Sequence, residues 1–395
     1  MYKFINYIDR EYSKEFKLLI LLSQDELEPE KLLQHFSDIN WNTFLELVIK
    51  HKLVSQIHKN IHILEKMAPY EVLERIKQYK IQQTQKALNY MSFAINIHQC
   101  FAKKSIPHCF FKGLLLSHEI YGDIGFRSFS DLDLLVDIRH IEEARRIIEE
   151  LGFTSINPDH DFSAKQRKIN YSLSHHYFFR NETKNINVEL HWNISNPQSF
   201  FNVSTNEILS SAESIFISGL QIPYLSRGIN LVYLASHGSV HQWYRLFWLK
   251  DFSVLLSQTN VEDLKIALEL SQKLKLETCF HQACLLANFF YKAKTPDFFQ
   301  NKSISDIFIR VPVKSIQTNE LKFRGSLNKV GFVVYKLLLK RSAVYYWDLL
   351  FRLRTHPTDW AIVRLPDKLF PLYYVFRPFL LIYRNILKKR VRHKP

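Results

Sequence analysis

Asp131 and Asp133 stand one residue apart inside an apolar run made of Leu132, Leu134, Leu135 and Val136. The run is short and bounded by polar residues, so it reads as a strand, Leu132 to Asp137. Residues two apart on a strand point to the same side. Two carboxylates on one side of an apolar strand repel each other, and the usual reason for such a pair is a divalent cation. A second apolar strand, Asn187 to Ile194, carries a third carboxylate, Glu189. Upstream, the apolar run Ile106 to Phe111 passes through Lys112-Gly113 into a helical pattern, Gly113 to Ile120. This stretch sets the frame for the rest of the chain.

Residues 1 to about 105 read as a helical N-terminal domain. Ser37-Asp38-Ile39-Asn40 precedes an apolar run at helical spacing (Trp41, Phe44, Leu45, Val48, Ile49), and a longer pattern runs from Tyr70 to Ala102. Packing is the simplest task for this region. Residues 106–225 form the α/β core. Ile141 to Leu151 is an amphipathic helix, Gly152-Phe153 turns into a short strand, and Leu173 to Arg180 alternates as a strand. A polar turn, Asn181 to Asn185, makes Asn187 to Ile194 its antiparallel neighbour. The alternation implies an α+β fold, a mixed sheet with helices on one face, flanked by helical regions. Residues 226–325 are helical again, over Ile229 to His241, Trp243 to Ser257, Val261 to Leu274 and Lys275 to Tyr291. Asp297 to Leu321 has no clear period and reads as loop-rich. From residue 326 onward aromatics alternate with bases, and Pro366, Pro371 and Pro378 break the last part into short pieces.

Composition narrows the options. The 395 residues are 47% hydrophobic, which suits a globular chain of two or three substructures. No GxGxxG or GxxxxGK(S/T) occurs, so dinucleotide and P-loop folds have no support. Cys100, Cys109, Cys279 and Cys284 make no CxxC pair and read as buried or free thiols in a reducing compartment. The N-terminal stretch MYKFINYIDREYSKEF is charged throughout, and no run of about 18 uncharged apolar residues exists. The expected location is the cytoplasm, with the inner membrane face as the alternative. The net charge is +15, and fifteen Lys/Arg against three Asp fall between Lys329 and Pro395. The excess positive charge therefore describes the C-terminal region, not the acidic motif.

Several motifs together resemble a known family. They are Lys112-Gly113-Leu114-Leu115-Leu116, Tyr121-Gly122-Asp123-Ile124-Gly125-Phe126-Arg127, Asp131-Leu132-Asp133-Leu134-Leu135-Val136, Glu189-Leu190-His191-Trp192, and the helical segment His237 to Trp243. The arrangement resembles the bacterial nucleotidyltransferase family called NTP-transferase type 5, within the DNA polymerase beta-like superfamily. The resemblance implies a Mg2+-dependent transfer of a nucleoside monophosphate from an NTP donor, with Mn2+ as an alternative ion. Asp131 and Asp133 would bridge two ions. Glu189 would complete the one nearer the acceptor and help that acceptor lose its proton. The acceptor is a small molecule, a sugar or a protein, and nucleic acid is disfavoured. One feature departs from the superfamily: Gly113 is followed by Leu114, where a serine is usual.

Other residues carry two readings each. Lys112 and the helix beginning at Gly113 suit phosphate binding. Arg127 is either a bidentate phosphate ligand or half of a salt bridge, for example to Asp123. His191 shares Glu189's side of the strand and orients a carboxylate or acts directly, while Trp192 faces away. His237 and His241 share a helix face, as pocket lining or as two zinc ligands lacking a third. His175-His176 carries less, because strand neighbours point to opposite sides. The segment Leu380 to Lys394 is a solvated basic terminus, or a partner for anionic lipid through Lys388, Lys389, Arg390, Arg392 and Lys394. A nucleotide-binding regulatory protein without catalysis is the competing function.

Overall fold

The structure, a computed structural model, describes residues 12–27, 36, 38–156, 162–300, 302–318 and 329–392. Met1 to Glu11, Ser37, Leu321 and Lys394, on which the sequence reading also drew, lie outside the described residues.

The N-terminal part is helical: α1 (Lys14–Leu22), α2 (Trp41–Lys50), α3 (Val54–Lys59), α4 (Ile61–Leu64) and the 34-residue α5 (Tyr70–Lys103). Asn40 starts α2 by accepting a hydrogen bond from the Thr43 N–H at 3.0 Å, which satisfies one of the free donors of the first turn.

Next comes a seven-stranded mixed sheet in the order β3-β4-β5-β2-β1-β7-β6. Its strands are β1 (His108–Phe111), β2 (Leu132–Val136), β3 (Thr154–Ser155), β4 (His176–Asn181), β5 (Ile186–His191), β6 (Glu213–Ile217) and β7 (Leu220–Tyr224). Strand β2 is central. It pairs antiparallel with β1 and parallel with β5, and this register sets Phe111 and Glu189 on either side of Asp133. Between the strands lie α6 (Gly113–Tyr121), α7 (Ile141–Glu150), α8 (Ala164–Leu173) and α9 (Thr205–Ser210).

Two parts of this sheet region differ from the sequence reading. Ala164 to Leu173 is a helix, so the strand begins at His176 and not at Leu173. Ser163 and Gln166 form a reciprocal capping box that starts it. The β6–β7 hairpin was not anticipated at all. Its two-residue turn, Ser218-Gly219, has both φ angles positive (52° and 79°), the geometry that a tight hairpin favours.

The chain then returns to helices: α10 (Arg227–Val240), α11 (Leu246–Ser257), α12 (Val261–Lys273), α13 (Glu277–Tyr291), α14 (Asp297–Gln300) and α15 (Ile307–Thr318). The last two correct the loop-rich reading of Asp297 to Leu321. Phe308, Val313 and Ile316 are buried, and that packing carries α15 through Pro312. The described chain ends with α16 (Lys329–Leu339), α17 (Ala343–Arg352), α18 (Pro357–Ile362) and α19 (Leu372–Arg392). Helix α19 runs through Pro378, where the sequence suggested short pieces. One proline removes one helical hydrogen bond, and burial of Tyr373 and Leu380 offsets the loss.

One continuous apolar core runs from Tyr12 to Tyr345, and a smaller cluster joins Phe162 and Leu173 to Trp360, Phe370 and Tyr373. The C-terminal helices are also tied to the sheet side by polar contacts. Lys340 donates to the carbonyls of Ser199 and Phe200, both at 2.9 Å, and Arg352 donates to the carbonyls of Leu173 and Ser172. The four cysteines are free thiols, three of them buried.

Candidate active site

The turn after β1 is backbone-strained. Lys112 has φ 58° and ψ −151°, close to a region otherwise left to glycine, and Gly113 follows at φ 50°. A Cβ on Gly113 would lie 3.4 Å from the Asp131 carbonyl oxygen, so the turn packs directly on the segment entering β2. This geometry points the Lys112 ammonium at Asp133, at 3.3 Å, above the rings of Phe111 and Tyr233.

Across the sheet, β5 brings two more groups. His191 Nε2 lies 3.1 Å from Glu189 Oε2 and 3.3 Å from Asp133 Oδ1. Asp133, Glu189 and His191 each offer a ligand atom within 4.8 Å of the others. Asp131 lies just ahead of β2, with its carboxylate accepting from the Ser130 hydroxyl at 2.9 Å. Trp192 is buried, and its indole N–H donates to the Tyr171 carbonyl.

The electrostatics follow from this crowding. Burial, and then the charges of Asp133 and Glu189, push Asp131 up to about 6. Burial works to raise Glu189 as well, but the hydrogen bond and charge of His191, with the charges of His176 and Lys112, together hold Glu189 below its usual range. His191 moves the other way. Its burial opposes a proton, yet its bonds to Asp133 and Glu189 raise it. Lys112 is likewise raised: burial opposes its charge, but Asp133, Tyr233 and Glu189 together outweigh it.

These carboxylates line a cavity of about 190 Å³. Lys112, Arg127, Ser128, Phe129 and Ser130 line it with them. Lys52, Leu234, His237, Arg245, Phe247 and Trp248 complete the lining. Lys52 comes from the turn between α2 and α3, at φ 57°. Burial, and then the charges of Arg245 and Arg127, bring Lys52 down to about 8, as expected of a cation held beside other cations.

The loop carrying Arg127 is held from behind by α5. Lys80 donates to the Gly125 carbonyl at 2.9 Å, and Gln83 to those of Gly125 and Phe126 at 2.8 and 2.9 Å. Lys86 reaches the Phe129 carbonyl at 2.7 Å and Tyr90 that of Ser130 at 2.8 Å. The spacing of 80, 83, 86 and 90 puts these donors on one helix face. Gly125 permits the approach, since a Cβ there would meet Thr84 at 3.1 Å.

Residues 37–292 match the model of a family described as uncharacterised nucleotidyltransferases. The chain belongs to that nucleotidyltransferase family. The match spans α2 to α13 and includes every residue lining the cavity. No curated protein matches the chain. The mixed sheet flanked by helices is consistent with the nucleotidyltransferase fold that the motifs implied.

Several sequence-based expectations change in this nucleotidyltransferase. Arg127 lines the cavity but also donates through Nε to Asp251 Oδ2 at 2.5 Å, within a buried pair that Tyr121 completes. Its salt-bridge partner is Asp251, because Asp123 is taken by Lys80 at 3.0 Å. Gly113 is buried and is not among the cavity-lining residues. His237 lines the cavity, whereas His241 packs behind it against Trp248. Burial first, and then nearby positive charge, holds His237 well below the usual imidazole range and His241 at about 4. Among the described residues no third metal ligand joins this pair. Trp243 is core, not pocket: its ring fills the space where Gly238 has no Cβ, 2.4 Å from where one would be.

Sequence reasoning missed Lys52, Phe247 and the row of donors on α5. No local pattern marks a lysine in a helix–helix turn as facing a site 80 residues away. It also undervalued His175-His176. The strand begins at His176, so His175 lies outside the ladder and is free of strand alternation. Both come close to His191.

Proposed function

We propose that this nucleotidyltransferase is a Mg2+-dependent enzyme moving an NMP from an NTP to a hydroxyl or phosphate of a small-molecule, sugar or protein acceptor, with release of pyrophosphate. The observation that supports this reading best is the mixed charge of one cavity. Asp131, Asp133 and Glu189 line it together with the cations Lys52, Arg127 and Arg245, and burial, followed by the charges of Arg245 and Arg127, depresses Lys52. A metal–triphosphate carries both charges that such a cavity lacks. The donor set fits a hard divalent ion: Asp131, Asp133 and Glu189 offer carboxylate oxygens, and Asp131 is raised by burial first and then by the negative charges of Asp133 and Glu189. Asp131, Asp133 and Glu189 would hold Mg2+, or Mn2+ in its place. When bound, such ions neutralise charge on the attacking and leaving oxygens.

The chain's own groups do the rest. Lys52, Arg127 and Arg245 bind and orient the phosphates, and Asp251 fixes the Arg127 guanidinium in place. His191 holds the carboxylates of Asp133 and Glu189 in one orientation. Phe247 and Trp248 offer apolar surface at the same cavity. Thermal unfolding with ATP, CTP, GTP or UTP, each with and without Mg2+, tests the reading. A ligand bound only by the folded state raises the midpoint, by about 2.7 kcal/mol of stabilisation at a hundredfold excess over Kd. The expected result is a Mg2+-dependent rise with one nucleotide that Asp131→Asn abolishes. No rise with any of them would overturn it.

The C-terminal helices support a lipid-facing role, which we propose as the second part of the function. Trp347 and Phe379 are each 68% exposed, and Val344, Leu353, Val375 and Ile382 are exposed with them. The region from Lys329 onward carries twelve excess positive charges. Exposed aromatics beside basic charge match an anionic membrane surface. No described helix is long and apolar enough to cross a membrane. The side chains of the basic cluster beyond Tyr383 are not described, and Lys394 lies outside the described residues.

A further inference from the structure

Beside the carboxylates stands a group of three imidazoles, His175, His176 and His191, of which the transferase reading uses only His191. His176 is the cross-strand partner of His191. The His175 carbonyl accepts from the Trp192 N–H at 2.9 Å, which folds His175 back beside them. One ring nitrogen from each of His175, His176 and His191 lies within 4.8 Å of the other two. His175 Nε2 and His176 Nδ1 are already 3.1 Å apart. Two nitrogens bound at about 2.0 Å to a tetrahedral ion stand roughly 3.3 Å apart. The Nδ1 atom of His191 is buried with no hydrogen-bond partner, and a bare buried nitrogen calls for an occupant. His191 spends its other nitrogen on Asp133 and Glu189. A carboxylate on one ring nitrogen and a free lone pair on the other is how metal-ligating histidines are set up.

We propose that His175, His176 and His191 bind a nitrogen-preferring divalent transition metal, represented by Zn2+, at a site beside and separate from the carboxylate site. Imidazole ligands select such ions, whereas carboxylates select Mg2+ or Mn2+. The ion takes His191 through Nδ1, and Nε2–H remains with Asp133 and Glu189. Three protein ligands leave a fourth position open to water or an exchangeable group. Occupancy therefore fixes the histidine that orients two carboxylates of the neighbouring cavity.

The test uses the full chain, purified without nickel affinity, stripped with EDTA and dialysed. It is titrated with Zn2+ in excess Mg2+, and with Co2+ as the coloured substitute. One Zn2+ per chain is expected to bind despite the Mg2+, and Co2+ should give the intense visible bands of a four-coordinate site. His175→Ala/His176→Ala should weaken Zn2+ by at least about tenfold, the loss that even an outer partner of a metal site causes. Its unfolding midpoint in EDTA should stay unchanged, and His241→Ala should bind Zn2+ normally. The proposal is overturned if Zn2+ does not bind in Mg2+, if the double variant binds equally well, or if Co2+ gives only weak six-coordinate bands. Should the double variant not fold, the Co2+ spectrum of the unaltered chain decides alone. No arm uses a nucleotide, so failure here leaves the transferase reading untouched.

Discussion

Asp131 and Glu189 share a site and should answer pH in opposite directions. Asp131 is raised to about 6 in the fold, above the usual 3.9 or so of an unfolded chain. The folded state then binds more protons between those values, so ionising Asp131 costs stability as pH rises through 6. In metal-free buffer at pH 8, Asp131→Asn should be more stable than the parent by roughly 1–2 kcal/mol, with the gap closing by pH 4. Glu189 is lowered, so its ionised form contributes stability above its unfolded value, and that contribution is lost as pH falls through the folded value. Glu189→Gln should therefore destabilise at pH 7. Urea unfolding across pH 4–8 checks both signs, and equal behaviour of the two variants would refute the charge arrangement. That Glu189 and His191 share a strand side was legible from strand period alone; Asp133 joins them only through the pairing of β2 with β5. The net lowering of Glu189 against its burial was not legible, because it also draws on His176 and Lys112 from neighbouring strands and turns.

At the scale of elements, α5 sets the loop that carries Arg127. Gln83 is the pivotal donor, with Nε2 reaching Ser55 Oγ and two loop carbonyls. Gln83→Ala leaves the Phe126 carbonyl without that donor, which should cost about 1–3 kcal/mol. The same variant should shrink any Mg2+-dependent nucleotide shift, since Arg127 and Ser128 lose their support. An unchanged midpoint and an unchanged nucleotide response would show that α5 only packs. The helical nature of this segment was readable from its apolar spacing. Its service to the loop was not, because Lys80, Gln83, Lys86 and Tyr90 look like an ordinary polar face until the loop is placed against them. The reverse error occurred at α8 and α15. Weak periodicity hid helices that capping, in α8, and burial, in α15, make stable.

At the scale of the whole molecule, the cavity and the C-terminal surface make separate predictions. Sedimentation with vesicles of anionic and of neutral phospholipid should show binding to the anionic ones only, weakening as salt rises. Trp347→Ser/Phe379→Ser should reduce that binding while leaving the nucleotide-dependent midpoint shift in place. Equal binding to neutral vesicles, or none to either, would refute a charge-guided lipid surface.

Local pattern by itself determined that Asp133 lies on an apolar strand with Asp131 at its start, that Glu189 and His191 lie together on a second strand, and that long helices flank the sheet. These follow from side-chain period, turn chemistry and apolar spacing, which act over a few residues. Only the tertiary structure decided that Lys52 and Arg245 line the same cavity as the carboxylates, that Asp251 takes Arg127, and that three histidines meet beside Asp133. Those contacts join elements far apart in sequence, and they are set by how the helices pack on the sheet, which no single segment encodes.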